Sequence, residues 1–160
     1  MKKVFLLLMV WICITSGYIA ASTGDHPATE PAEVKVDYTI PEDVAMAALK
    51  AYKAEDVNTL MILSRPDIAE RIKKMIDAGK LEDIKKRSFD KTKWRSKSVA
   101  AWDGKLHETK KRGEKIRIRY GNIGANEVAV VELANVDGKW YFEDLKSPSL
   151  QGWQNWGKNK

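Results

Sequence analysis

The chain has 160 residues, 44% of them hydrophobic and 31% charged, and its formal net charge at pH 7 is +6. Such a composition is typical of one globular domain, and it excludes collagen-like, coiled-coil and wholly disordered proteins. Because the chain has a single cysteine, Cys13, no disulfide framework can form within it.

The N-terminal segment predicts a signal peptide over residues 1–21. Two lysines follow Met1, and residues 4–14 then form an uninterrupted apolar run. This run suits the hydrophobic part of a signal peptide and is shorter than the roughly 20 residues that a membrane-spanning helix needs. Small residues precede Ser22 and offer a cleavage site there. We therefore expect an exported protein, periplasmic or secreted, with no transmembrane segment after cleavage.

Two alternatives stay open for this segment. It could remain uncleaved as an anchor over residues 4–21. Cys13 could instead carry a lipid, but Val10-Trp11-Ile12 before it lack the small residues that such a site needs. After cleavage the mature chain would hold no thiol.

The rest of the chain divides into three parts by composition. Residues 22–42 contain three prolines among polar residues and predict an extended linker. We expect one domain over residues 43–148, followed by a tryptophan-containing tail over residues 149–160.

Helical spacing dominates the first half of the predicted domain. Apolar residues recur at i, i+3, i+4 and i+7 from Ala45, just after Pro41, and predict a first amphipathic helix. Glu55-Asp56 are expected to begin a second short helical stretch that includes Val57, Leu60, Met61 and Leu63. Ser64 with Asp67 three residues later, and Pro66 between them, predicts the start of a third helix, which Gly79 is predicted to stop.

The second half has the alternation of β-strands. Ile116, Ile118 and Tyr120 alternate with basic residues, while residues 128–136 are apolar on both faces, as in a central strand. Asp137-Gly138 then predicts a tight hairpin turn, because both central residues of a type I′ turn need positive φ.

Two further strands complete the predicted sheet. A returning strand is expected at residues 140–142, and another between residues 98 and 109, with Asp103-Gly104 as a bend inside it. The predicted fold class is therefore α+β, with N-terminal helices packed against a curved antiparallel sheet of about four strands.

Two segments resemble the nuclear transport factor 2-like superfamily, and more narrowly its small exported bacterial members without assigned function. Residues 48–60, ALKAYKAEDVNTL, are similar to the first-helix pattern of these proteins, and residues 136–145, VDGKWYFEDL, to their last hairpin. Glu55 stands where the helical pattern usually has glycine. The resemblance covers roughly residues 41–148.

This resemblance implies a cone-shaped domain whose sheet curls round the longest helix and leaves a pocket at the open end. Enzymes of the superfamily place an acid–base pair, typically Asp or His, in that pocket, but the matching segments bring no such residue to this chain. We expect the pocket to lie between helices and sheet, lined by residues such as Tyr120, Val130 and Tyr141.

Counting back from the predicted turn also sets Glu132 opposite Glu143. Like charges directly across a strand pair are destabilising, so a cation, a nearby Arg or Lys, or a shared proton should compensate them. A site at this pair is one hypothesis, and a structural pair that meets a lysine is the other.

Basic residues are concentrated in one part of the chain. Residues 80–119 contain 15 lysines and arginines against six acidic residues. Their densest group predicts either a surface for anions such as lipid head groups, envelope polysaccharides or an acidic partner, or a solvated face. Nucleic acid is not expected, because no nucleic-acid-reading motif accompanies the charge. The densest group of basic residues comprises Lys110, Lys111, Arg112, Lys115, Arg117 and Arg119.

The tail carries Trp153 and Trp156, three residues apart. They could stack on sugar rings or lie at a membrane interface. The interpretation we favour is that the tail folds back and covers an exposed edge of the sheet.

The sequence offers no catalytic residue, metal ligand or cofactor-binding motif. The expected function is a non-catalytic binding or accessory module of the bacterial cell envelope, whose partner is a small ligand or an envelope protein. One alternative is a small isomerase or dehydratase using Asp103, His107 or the glutamate pair. Another is an immunity-like protein whose basic face binds an acidic partner.

Overall fold

The structure, a computed structural model, describes residues 35–158. The predicted signal peptide, its cleavage site before Ser22, the alternatives for that segment and most of the predicted linker lie outside these residues.

Within this range, helices pack against one antiparallel sheet, which confirms the predicted α+β class. The helices are α1 (Pro41–Lys53), α2 (Val57–Leu63), α3 (Pro66–Asp77), α4 (Leu81–Ser88), α5 (Trp94–Ala100) and α6 (Leu150–Asn155). The strands are β1 (Glu108–Arg112), β2 (Lys115–Ile123), β3 (Glu127–Val136) and β4 (Lys139–Lys146). They form an open meander in the order β1-β2-β3-β4, with each strand antiparallel to its neighbour.

Local chemistry explains the first three helices, which begin close to their predicted starts. Ser64 does not cap α3 as predicted, because it ends α2 and its Oγ donates to the carbonyl of Leu60 at 2.7 Å. α1 starts at Pro41, whose fixed φ suits a first helical turn, and α3 starts at Pro66 in the same way. α2 is capped by Asp56, whose Oδ1 accepts a hydrogen bond from the backbone N–H of Thr59 at 3.0 Å. Gly79, with a φ of +75°, follows the end of α3 as predicted.

The strand predicted between residues 98 and 109 is wrong over most of its length. Residues 94–100 form α5, and β1 begins only at Glu108. Asp103-Gly104 lies in the loop between them rather than inside a strand. The helix is fixed by tertiary packing, because it buries Val99 in the main core, where its contacts include α1. α4 is also a helix that the sequence analysis did not predict.

β3 is buried on both faces, as its sequence predicts. Val131 and Leu133 belong to the main core, which lies between the sheet and the helices. Val128 and Val130 form a second small cluster with Trp153. Because side chains alternate along a strand, this second cluster lies on the opposite face of the sheet.

Segments from both ends of the domain cover the sheet. The backbone N–H of Trp140 in β4 donates to the carbonyl of Tyr38 at 2.7 Å, and Ser64 forms a β-bridge with Phe142. These contacts protect the outer edge of β4. The tail folds back as predicted, but it covers the face of the sheet: Trp153 of α6 is 2% exposed and packs on the Val128 and Val130 cluster.

Candidate functional site

The three residues expected to line a common pocket lie in different surroundings. Tyr120 is buried in the main core, on the helix side of the sheet. Val130 packs against Trp153 on the opposite face. Tyr141 lies beside Tyr38, with the ring centroids 5.4 Å apart. The expectation that they share a pocket is therefore wrong, because alternation along the strands sends Tyr120 and Val130 to opposite faces.

The predicted pairing of Glu132 with Glu143 is also wrong by one residue. The hairpin register runs as expected from Val136 opposite Lys139 to Leu133 opposite Phe142. A β-bulge follows, and Glu132 then pairs with Asp144. A bulge sets two residues of one strand against one residue of its partner, so Glu143 loses its place in the ladder.

Cations nevertheless bring the two glutamates together, which is the compensation that the sequence analysis required. Arg117 Nε donates to Glu132 Oε2 at 2.5 Å. Lys115 Nζ lies 2.8 Å from Glu143 Oε2 and 3.8 Å from Glu132 Oε1. Arg65 approaches Glu143 at 3.9 Å. The pair is thus part of an ion-pair network on a face of the sheet.

The other predicted anion-binding residues are largely engaged within the protein. Lys110 Nζ donates to the carbonyl of Trp153 at 2.7 Å, and Arg119 donates to Asn122 Oδ1 at 2.6 Å. Lys111 Nζ lies 5.5 Å from the centroid of the Trp140 ring. Arg112 is exposed at the end of β1. Together with the ion pairs of Lys115 and Arg117, these contacts reduce the charge available to an anionic surface.

A cavity does lie between the helices and the sheet, but other residues line it. It has a volume of about 170 Å³ and is lined by residues of α1 to α5 and β4 and of the turns that follow α2 and α4. Its walls are mostly apolar and include Leu60, Ile68, Ile72, Ile84, Phe89 and Phe142. We call this cavity the helix–strand pocket. α3 contributes Ile68 and Ile72 to its wall, and no residue of α3 is fully buried.

One end of the helix–strand pocket is polar. Arg95 of α5 and Asp144 of β4 line it, with Arg95 Nη2 3.3 Å from Asp144 Oδ2. Lys146 Nζ also contacts Asp144 Oδ2, at 2.9 Å. Arg95 Nε is buried and has no hydrogen-bond partner among the described residues. A buried donor without a partner costs about 1–3 kcal/mol, so a ligand oxygen that reached this nitrogen after a shift of the surrounding side chains would stabilise the protein.

Two buried phenols lie within the electrostatic reach of Arg95. The Tyr52 hydroxyl donates to the carbonyl of Ser88, and the Tyr120 hydroxyl shares a hydrogen bond of 2.8 Å with Ser98 Oγ. Burial raises the pKa of Tyr52, and it raises the pKa of Tyr120 to about 12. Both phenols are therefore protonated at neutral pH.

Of the residues of the enzyme alternative, Asp103, His107 and Glu132 lie outside this pocket, whereas Glu143 is part of its wall. His107 Nε2 and Asp103 Oδ1 are 3.9 Å apart, and both side chains are exposed. In residues 35–158 there is no group of His, Cys, Asp and Glu suited to hold a metal ion. The helices found in that range are all too short or too polar to cross a membrane.

The sequence pattern indicates Glu143 as a site residue but neither Arg95 nor Asp144. Arg95 lies in a basic stretch where nothing distinguishes it from surface lysines, and its helix was not predicted. Asp144 lies in the segment that carries the family resemblance, next to Glu143, and only the bulge directs attention to it. Arg95 and Asp144 are 49 residues apart, so their ion pair leaves no local pattern in the sequence.

No family model, curated protein or solved structure matches this chain.

Proposed function

We propose that this chain is a non-catalytic binding module, exported as its N-terminal residues predict, and that its ligand lies in the helix–strand pocket. The observation that carries the proposal is the buried Arg95 Nε, a hydrogen-bond donor without a partner beside an apolar cavity. Binding sites for small molecules are typically apolar cavities with few polar groups that orient the ligand.

The pocket restricts the ligand to a small molecule. Its volume of about 170 Å³ equals about six waters at the density of the liquid. The ligand we propose has a short or cyclic hydrocarbon body against Ile72 and Ile84, and an oxygen that accepts a hydrogen bond from Arg95 Nε. Larger ligands would require α3 to move, and its lack of fully buried residues supports that freedom.

The family resemblance supports the same location. In nuclear transport factor 2-like domains the pocket lies between helices and sheet, and we propose that this chain is a member of that superfamily. Residues 48–60, which resemble the family, form parts of α1 and α2 and the connection between them, while residues 136–145 form the end of β3, its turn and most of β4.

The carboxylates at the pocket support a binding role over acid–base catalysis. Asp144 is paired with Arg95 and Lys146, and Glu143 with Lys115. A carboxylate held by cations is a weaker base than a free one. The isomerase or dehydratase alternative would need one of them released from these partners.

The test is titration of the full chain with cyclohexanone, followed by backbone amide NMR. We expect shifts at α3, α4 and β4 in the original protein. Ile72→Trp should fill the pocket and abolish the shifts, and Arg95→Met should weaken binding by about tenfold through loss of the donor. Ile62→Trp is the matched control, because Ile62 is 42% exposed on α2 and is not part of the pocket wall. Equal binding by Ile72→Trp would contradict the proposal.

A further inference from the structure

A second, larger cleft lies on the other side of the Tyr52 and Phe89 rings. Its volume is about 380 Å³, within the range of small-molecule sites. The two rings contact each other edge to face, with centroids 5.0 Å apart, and both line this cleft as well as the helix–strand pocket. We call it the lysine cleft. Its polar lining residues are Lys53, Glu55, Lys91, Ser96 and Lys97, besides Tyr52.

The lining charge of the lysine cleft is positive. Three lysines and one acidic residue, Glu55, line the cleft. Lys91 Nζ lies 3.9 Å from Glu55 Oε1, whereas neither Lys53 nor Lys97 makes an ion pair with any described residue. These two lysines come from different helices, the end of α1 and the middle of α5. An anion between them would be attracted by two charges that no acid neutralises.

Ser96 is a further polar group of the lysine cleft. Its Oγ is buried, and its hydrogen-bonding neighbour is the Tyr52 hydroxyl. It lies beside the hydroxyl of Tyr52, which is itself committed to the carbonyl of Ser88. Rotation of the Ser96 side chain away from Tyr52 would let its hydroxyl donate to an anionic oxygen in the cleft.

Glu55 adds a feature of the backbone. Its φ is +55°, in the left-handed region that favours glycine, and this is the position where the resembling pattern has glycine. A side chain in this region costs about 1–2 kcal/mol. This conformation closes the C-terminus of α1, where the Glu55 N–H donates to the carbonyl of Tyr52 and the Asp56 N–H to the carbonyl of Ala51. Here it sets a carboxylate among the lysines of the cleft.

We propose that the lysine cleft binds a small aromatic anion, such as an aryl phosphate or carboxylate, with its charged group between Lys53, Lys97 and the Ser96 hydroxyl. The body of the ligand lies on the Phe89 and Tyr52 rings. Glu55 weakens binding by repelling the anion and by holding Lys91. This site is separate from the helix–strand pocket, so either proposal can fail without the other.

The first test is calorimetric titration of the full chain with phenyl phosphate at low ionic strength. Lys53→Met and Lys97→Met should each weaken binding by about tenfold, and Ser96→Ala by less. Lys139→Met is the control, because Lys139 is exposed in the β3–β4 turn and is not part of the cleft. Affinity should fall as salt is added. Equal binding by Lys97→Met and Lys139→Met would overturn the proposal.

Inorganic phosphate and phenol separate the two halves of the site. Inorganic phosphate can contact only the lysines, and phenol only the Tyr52 and Phe89 rings, so both should bind more weakly than phenyl phosphate. Inorganic phosphate binding as tightly as phenyl phosphate would show an adventitious ion only and would overturn the proposal. Phenol binding as tightly would overturn the role of the lysines.

Two variants of Glu55 separate its charge from its backbone strain. Glu55→Gln removes the charge and keeps the left-handed side chain, whereas Glu55→Gly removes both. We expect both variants to bind phenyl phosphate several-fold more tightly, and only Glu55→Gly to raise the midpoint of thermal unfolding. Unchanged or weaker binding by both variants would overturn the role of Glu55.

Discussion

Arg117 and Glu132 face each other across β2 and β3, and Arg117 Nε donates to Glu132 Oε2 at 2.5 Å. Glu132 lies in the central part of β3 and is only 4% exposed. Burying a carboxylate costs several kcal/mol unless hydrogen bonds and opposite charge compensate it. Arg117 provides both, and it also lies 4.8 Å from the centroid of the Trp156 ring. The tail thus helps to hold the cation that neutralises Glu132.

The first prediction concerns this carboxylate. Glu132→Gln should lower the free energy of unfolding by about 2–3 kcal/mol at neutral pH, because it leaves Arg117 without its anionic partner. Glu143→Gln is the matched variant and should cost less than about 1 kcal/mol, because that side chain lies outside the ladder and is more exposed. Urea unfolding measures both. A gain in stability in Glu132→Gln would mean that the two glutamates repel each other uncompensated.

The register of this hairpin shows how far the sequence can predict the sheet. Asp137-Gly138 determines the pairing through Leu133 and Phe142, because the turn is local. The bulge beyond it is not local. Glu143 and Asp144 meet Arg65 and Arg95, which come from the helical half of the chain. Such long-range partners cannot be inferred from strand alternation alone.

The helices also divide into those that the sequence predicts and those that depend on tertiary contacts. α1 and α3 carry proline starts and regular apolar spacing, and the sequence predicts both. α5 has seven residues and no capping side chain, so its helical form depends on burial of Val99. Because Arg95 lies on this helix, the polar end of the helix–strand pocket could not be predicted. The existence of a pocket between helices and sheet could be predicted, because the family resemblance implies one.

The second prediction is a loss of stability at high pH that depends on Tyr120. An unfolded tyrosine ionises near pH 10, whereas burial raises the pKa of Tyr120 to about 12 in the folded protein. Between these values the unfolded chain loses a proton that the native protein keeps. The contribution of Tyr120 to stability is therefore complete below about pH 10 and falls by up to about 1.4 kcal/mol per pH unit above it.

Tyr120→Phe and Ser98→Ala separate this effect from the hydrogen bond. Each should cost about 1 kcal/mol at neutral pH, since each removes the bond between the two hydroxyls. Only Tyr120→Phe should flatten the decline above about pH 10, because Ser98→Ala keeps the phenol. Urea unfolding from about pH 8 to about pH 11 gives the slopes. A decline as steep in Tyr120→Phe as in the original protein would refute the assignment to Tyr120.

The third prediction concerns the tail. Trp153 is 2% exposed, packs on Val128 and Val130, and donates from Nε1 to Glu108 Oε2 at 2.9 Å. Trp153→Ala should lower the free energy of unfolding by about 3–5 kcal/mol. Trp156→Ala, in the same tail but half-buried, should cost about 1 kcal/mol or less, mainly through its contact with Arg117. Similar losses in the two variants would contradict burial of Trp153 as the reason the tail folds back.

The fourth prediction compares two glycines with different backbone conformations, one in a turn and one in a strand. A Cβ added at Gly138 or at Gly121 would meet no atom within 4 Å, so neither substitution by alanine creates a clash. Gly138 has a φ of +80° in the β3–β4 turn, while Gly121 in β2 is outside the positive-φ region. Gly138→Ala should therefore cost about 1–2 kcal/mol through strain. Gly121→Ala should be neutral or stabilise the protein by up to about 1 kcal/mol, because alanine reduces the freedom of the unfolded chain. Thermal unfolding of the two variants tests this, and equal midpoints would show that the turn adapts to a side chain at Gly138.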